Sequence, residues 1–133
     1  MKEEKSFLIR LIKFGIVGTS GIFINQGILI LCVKYFNIDY RIGSLIAIET
    51  AIISNFLLNY HWTWNDRKSK KFVAFIKFNI SSFITAFFLN WITLVFLTEV
   101  MNIQYWISNL AGIAVAAAVN FLISNFLIFK VKT

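Results

Sequence analysis

The side chains able to do chemistry in this sequence are few, and they sit in apolar surroundings. Asn55 and Asn59 lie four residues apart in NFLLNYHWTW, and NFLISNFLIF sets Asn120 and Ser124 in the same alignment 65 residues later. At that spacing the groups share one helical face. Amides and hydroxyls can donate to and accept from hydroxyls or phosphate oxygens, but they carry no proton between states. Glu49 is the carboxylate inside an apolar run, and there proton exchange is one open role. A Gly-rich phosphate loop, a catalytic triad, suitably spaced paired carboxylates and a Cys/His cluster are all missing from the sequence. His61 is the lone histidine and has no metal-ligand companions, so neither metal nor cofactor is expected. By the same reasoning the chain is not expected to be an enzyme.

Placing such groups takes long apolar helices, and the composition supplies them. The 133 residues are 59% hydrophobic and 14% charged, with mean hydropathy +0.76. A soluble domain would be about 45–50% apolar and about 25% charged. The excess falls in four blocks, approximately 14–33, 42–60, 72–97 and 105–129. A spanning helix needs about 20 predominantly apolar residues, so each block is long enough. The expected fold is therefore all-α: one four-helix transmembrane domain over residues 1–133, multi-pass in the cell membrane, with no room for a soluble domain. A cleaved signal peptide fits poorly, because the first block is too long and Leu31 stands in LILC where a small residue would be needed. Cys32 is the only cysteine, which excludes an internal disulfide.

The cations set an orientation. With the N-terminus inside, cytoplasmic segments hold eleven, from Lys2, Lys5, Arg10 and Lys13 through Arg67, Lys68, Lys70, Lys71 and Lys77 to Lys130 and Lys132. The outer loops hold two, Lys34 and Arg41. This positive-inside bias places both termini in the cytoplasm. The net charge of +7 is read as a topology signal and an attraction for anionic membrane lipids, not as a nucleic-acid surface. Trp62 and Trp64 are expected as interfacial aromatics at the inner headgroups, with Tyr105 and Trp106 at the outer ones.

A shift of 65 residues lays Ala47, Ala51, Asn55 and Asn59 over Gly112, Ala116, Asn120 and Ser124, with Ser44 and Asn109 near the outer ends of the same stripes. LIKFGIVG resembles FIKFNISS at a shift of 64, and Gly21/Asn25 falls over Ala86/Asn90. Two tandem hairpins follow, about 7–64 and 72–129, sharing one orientation as parallel repeats. Helix packing accounts for such stripes in part, since an amide bond across helices is worth about 0.6 kcal/mol. Close packing is also the expected role of Gly15, Gly18, Gly21 and Gly27. Eight asparagines in or near the membrane, Asn79 and Asn125 among them, exceed what packing needs, and a polar groove is the alternative. Its candidates are Asn25, Asn55, Asn59, Asn90, Asn109, Asn120 and Ser124. Glu49, about 120° from Asn55 on an ideal helix, stands on another flank. Three roles stay open for it: proton coupling, pairing with Arg41 or Lys34, or a protonated structural acid.

Four spans in this length, the KFGIVG entry to the first helix and the endings NFLLN…WTW and NFLIS…FLIF resemble the GtrA-like proteins over nearly the whole chain. The resemblance implies translocation (flipping) of a polyprenyl-phosphate-linked sugar for glycosylation of cell-surface polysaccharide or teichoic acid, with a polyprenyl-phosphate glycosyltransferase as a partner. By position it carries Asn55, Asn59, Trp62 and Trp64 onto the first motif and Asn120, Ser124 and Phe129 onto the second. The chain departs from the family pattern at Tyr60 and Asn125, where arginine is common, and at Asn109, where a basic residue is common. Arg10, Lys13 and Lys77 inside and Arg41 outside are then the candidates for attracting phosphate. A thin wall of four helices implies a homo-oligomer or a partner protein, a dimer being favoured. Two rival readings are a small proton-coupled drug exporter and a non-transporting subunit that stabilises a membrane glycosyltransferase.

Overall fold

The computed structural model describes residues 1–67 and 69–129, leaving out the side chains of Tyr105 and Trp106. The roles expected of Lys68, Lys130, Lys132 and the Tyr105/Trp106 aromatics lie outside the described residues.

The described chain is helical, with short turns between helices and no strand. Helix α1 (Lys2–Ile30) continues into a π-helical turn, Leu31–Tyr35. Helix α2 (Tyr40–Leu58) ends in a second, Asn59–Thr63. Helix α3 (Lys71–Ile84) passes through a third, Thr85–Asn90, into α4 (Trp91–Glu99), and α5 (Tyr105–Ile123) ends in a fourth, Ser124–Ile128. Four stretches are long and apolar enough to span a membrane: Lys2–Tyr35, Tyr40–Thr63, Lys71–Glu99 and Ile107–Ile128. Large apolar side chains such as Phe23, Phe87 and Trp91 are more than 60% exposed on them. Such apolar surfaces suit a hydrocarbon solvent, in which a spanning helix satisfies its backbone polar groups internally. The protein is a multi-pass, all-α membrane protein.

The first helix starts at Lys2, well before the expected Phe14. Glu3 and Glu4 in its first turn oppose the partial positive charge of the helix end, and no glycine or proline intervenes before Phe14.

The chain divides into two compact units, Met1–Lys68 and Ser69–Thr133. Each contains a helical hairpin, called hairpin 1 and hairpin 2 below. Their turns use the same device. Asn37 and Asn102 adopt φ of 53° and 55°, a left-handed conformation that asparagine tolerates better than most residues. The next amide then reaches back into the preceding helix, Ile38 to the Cys32 carbonyl at 2.9 Å and Ile103 to the Leu97 carbonyl at 3.0 Å. Asp39 caps α2 by accepting from the Arg41 N–H at 2.9 Å, and Gln104 occupies the corresponding place before α5.

Candidate functional site

In hairpin 1 the small-residue stripe is the seam between α1 and α2. Gly43, Ala47, Ala51 and Asn59 are buried along it, and Asn55 is half-buried. A Cβ on Gly21 of α1 would run into the Asn55 amide, with Nδ2 2.8 Å away, so glycine there lets the amide lie flat against the facing backbone. Asn59 is 1% exposed, and its Oδ1 accepts from the Thr63 hydroxyl at 2.7 Å. The amides are not saturated. Asn55 Oδ1 and Asn59 Nδ2 are buried without a hydrogen-bond partner, one free acceptor and one free donor a helical turn apart. A buried polar atom left unpaired costs about 1–3 kcal/mol.

Hairpin 2 places its stripe likewise but bonds its Asn120 amide through both the oxygen and the nitrogen. Ser108, Gly112, Ala116 and Ser124 are buried, and Asn120 is half-buried. Asn120 donates to the Ser82 hydroxyl at 3.0 Å and accepts from the Ser81 hydroxyl at 2.9 Å, which clamps α5 to α3. Gly112 packs directly on Asn90: a Cβ would lie 2.7 Å from the Asn90 carbonyl oxygen and closer still to its amide. Asn90 Oδ1, Thr98 Oγ1 and Ser124 Oγ are buried here without a hydrogen-bond partner among the described residues. Asn109 is exposed, and its neighbour Ser108, fully buried, continues the stripe. Asn25 is half-buried on α1.

The π-helical turns lie where the polar groups gather. Asn59–Thr63 and Ser124–Ile128 are offset by 65 residues, and each begins at a fully buried polar side chain. One-turn π segments often accompany functional sites. Nothing in composition announces them, and no proline marks them.

The aromatics correct one expectation. Trp64 is 1% exposed and meets Phe14 edge-on at a 6.0 Å centroid distance, so it is a core residue of hairpin 1 and not part of an interfacial belt. Phe129 is as fully buried in hairpin 2. Trp62 is 40% exposed, with the Lys13 ammonium 5.3 Å from its ring centroid. The glycines correct another. A Cβ at Gly15, Gly18 or Gly27 would meet nothing within 4 Å, so of the four glycines in α1 only Gly21 is closely packed.

The charged candidates are dispersed. Arg41 is exposed beside Tyr40, Lys77 is exposed on α3, and Glu49 is half-buried within α2. Arg10 is tightly paired, with Nη2 2.5 Å from Asp66 Oδ2. Arg67, next in sequence, has its pKa lowered, first by burial and then by repulsion from Arg10, with Asp66 acting in the opposite sense. Asp66, Arg67, Thr63, Ser82 and Ser108 had not been singled out from the sequence as site residues. The signals for them were the repeated endings and the NIDY/NIQY pair at 37–40 and 102–105, which aligns Ser108 with Gly43.

Comparison with known proteins gives two findings. Residues 13–129 match the family described as GtrA/DPMS, transmembrane domain. A dolichol-phosphate mannosyltransferase of Pyrococcus furiosus is 38% identical over 120 residues, which cover 87% of this chain and 32% of that protein. The chain thus spans about a third of the length of the curated relative it matches. That relative is named as an enzyme, and this overturns the expectation that the chain is not an enzyme. The missing motifs are those of polar catalytic pockets, and their absence from a membrane domain excludes nothing about the reaction such a domain serves.

Proposed function

This chain belongs to the GtrA/DPMS transmembrane-domain family, and on that premise we propose that it takes a polyprenyl-phosphate-linked sugar and carries the headgroup from the inner to the outer leaflet. The sugar would then be added to cell-surface polysaccharide or teichoic acid. The observation that carries this reading is the free acceptor on Asn55 and free donor on Asn59, buried in the seam of hairpin 1. A sugar hydroxyl supplies one donor and one acceptor and would satisfy both. Bare hydroxyls and phosphate cannot cross hydrocarbon, where each unpaired polar group costs several kcal/mol. We take the hairpins as tandem copies with both termini cytoplasmic, working as a homodimer.

The test is reconstitution of the purified chain in liposomes with a fluorescent polyprenyl-phosphate sugar of short chain length. Transbilayer equilibration should be faster than in protein-free vesicles. Equal rates at verified protein content would sink the proposal.

The mannosyltransferase relative favours a second reading, in which the domain holds the lipid phosphate at the membrane surface for a glycosyl-transfer site. The same vesicles separate the two. Under this reading the lipid would not cross, yet added polyprenyl-phosphate glycosyltransferase would work faster in the presence of the chain.

A further inference from the structure

We infer that Arg10 and Arg67, gathered around Asp66 at the open end of hairpin 1, form a seat for a phosphate ester in which Asp66 is the stand-in anion. The inference rests on the reading that the substrate is a polyprenyl-phosphate-linked sugar, and it names the group that meets the phosphate.

The geometry begins with Arg10, whose guanidinium bridges 56 residues to Asp66. Its side chain is 12% exposed, whereas that of Asp66 is 55% exposed. The cation is therefore built into the protein, and the anion sits on its open side. Arg67 is placed by the turn that closes on the buried Trp64, its N–H bonded to the Trp64 carbonyl at 3.0 Å. It lies near enough to Arg10 for the two to repel, and partial burial adds to that cost. Lys13, three residues from Arg10 on α1 and so on the same face, is held over Trp62. Arg10 and Arg67 thus share one carboxylate, with Lys13 on the same face of α1 as Arg10.

One carboxylate offers two oxygens, whereas a phosphate ester offers more oxygens and more charge, and planar guanidiniums bind it in paired hydrogen bonds. Asp66 lies just past the apolar span Tyr40–Thr63, beyond Trp64 and Asn65, which is where a spanning helix meets the headgroups. A phosphate there leaves its polyprenyl chain free to lie along the exposed apolar helix faces. Exchange of Asp66 for phosphate would also free Asp66 to move outward.

The experiment measures binding of polyprenyl monophosphate to the purified full chain in neutral-lipid nanodiscs, with inorganic phosphate and phosphatidylglycerol as competing ligands. Arg10→Gln and Arg67→Gln should each weaken binding at least tenfold, Arg67→Lys less, and Asp66→Asn should strengthen it severalfold. Melting temperatures of all four variants check that the hairpin is intact. Unchanged affinity in both glutamine variants overturns the seat. So does an Asp66→Asn variant that weakens binding as Arg10→Gln does, since that is the behaviour of a simple clasp. A wild-type chain that binds none of the three ligands overturns it as well. If the arginine variants lose binding but polyprenyl phosphate is not preferred over phosphatidylglycerol, the seat stands and the substrate reading falls.

Discussion

Asn90 occupies the space that a Cβ on Gly112 would need, its carbonyl oxygen lying 2.7 Å and its Cα 3.1 Å from that position. The obstacle is backbone as well as side chain, so it cannot turn aside. Gly112→Ala should destabilise the protein by about 1–3 kcal/mol, in the range of other overpacked sites. Gly27→Ala, which meets nothing within 4 Å, should be neutral or stabilise by up to about 1 kcal/mol through helix propensity. Thermal melts of the two variants in detergent check the contrast.

The tryptophans should separate in the same assay. Trp64 fills the core beside Phe14, and its replacement by alanine is expected to cost about 3–5 kcal/mol. Trp62→Ala removes a surface ring and its contact with Lys13, worth about 0.5–1 kcal/mol. Comparable losses from both would contradict the buried placement of Trp64.

Thr63 and Asn59 part stability from activity. Thr63→Val strips the Asn59 carbonyl group of its donor and leaves the buried amide wholly unpaired, a loss of about 1–3 kcal/mol. Asn59→Leu removes the unpartnered Nδ2 at similar volume, and the Thr63 hydroxyl can turn to the backbone carbonyl one turn back. Asn59→Leu should therefore melt close to the wild type while losing movement of the lipid-linked sugar in vesicles.

Asn55 and Asn120 stand in matching places but make different bonds. Asn120→Leu breaks two hydrogen bonds to α3, each worth about 0.6 to 1.7 kcal/mol in a membrane, so both abundance and surface glycosylation should fall. Asn55→Leu gives up no completed bond of its Oδ1 and should abolish surface glycosylation at unchanged abundance. Immunoblots of membranes beside polymer sugar analysis distinguish the two outcomes.

Fold class was open to sequence reading because bilayer thickness fixes the length of an apolar run, and runs such as 42–60 can be counted. The helix ends were less open: α1 reaches Lys2 because the charged residues there, with Glu3 and Glu4 in the first turn, continue the helix beyond the apolar run. The 4-residue spacing of Asn55 and Asn59 was visible, but not that one would keep a free donor and the other a free acceptor, since that depends on where Gly21 and Thr63 sit. Trp64 illustrates the same limit. Composition says that tryptophan favours interfaces, and only the proximity of Phe14 decides that this one turns inward. Asp66 and Arg67 were legible as charges, whereas the pairing of Asp66 with Arg10 and the repulsion between Arg67 and Arg10 span the hairpin and have no local signature.

The π segment inside the third span, Thr85–Asn90, sets how that helix tolerates changes in length. An ordinary helix that loses one residue swings everything beyond it by about 100°, turning lipid-facing groups inward. A π segment holds one residue beyond the normal count. Deleting Phe87, which is 64% exposed, would let the segment relax to regular winding while Trp91–Glu99 keeps its facing. The same deletion at Ile80, within regular winding, would rotate the whole of the remainder and misplace Asn90 against Gly112. Kin of this chain that differ by one residue in this span should therefore carry their gap between positions 85 and 90.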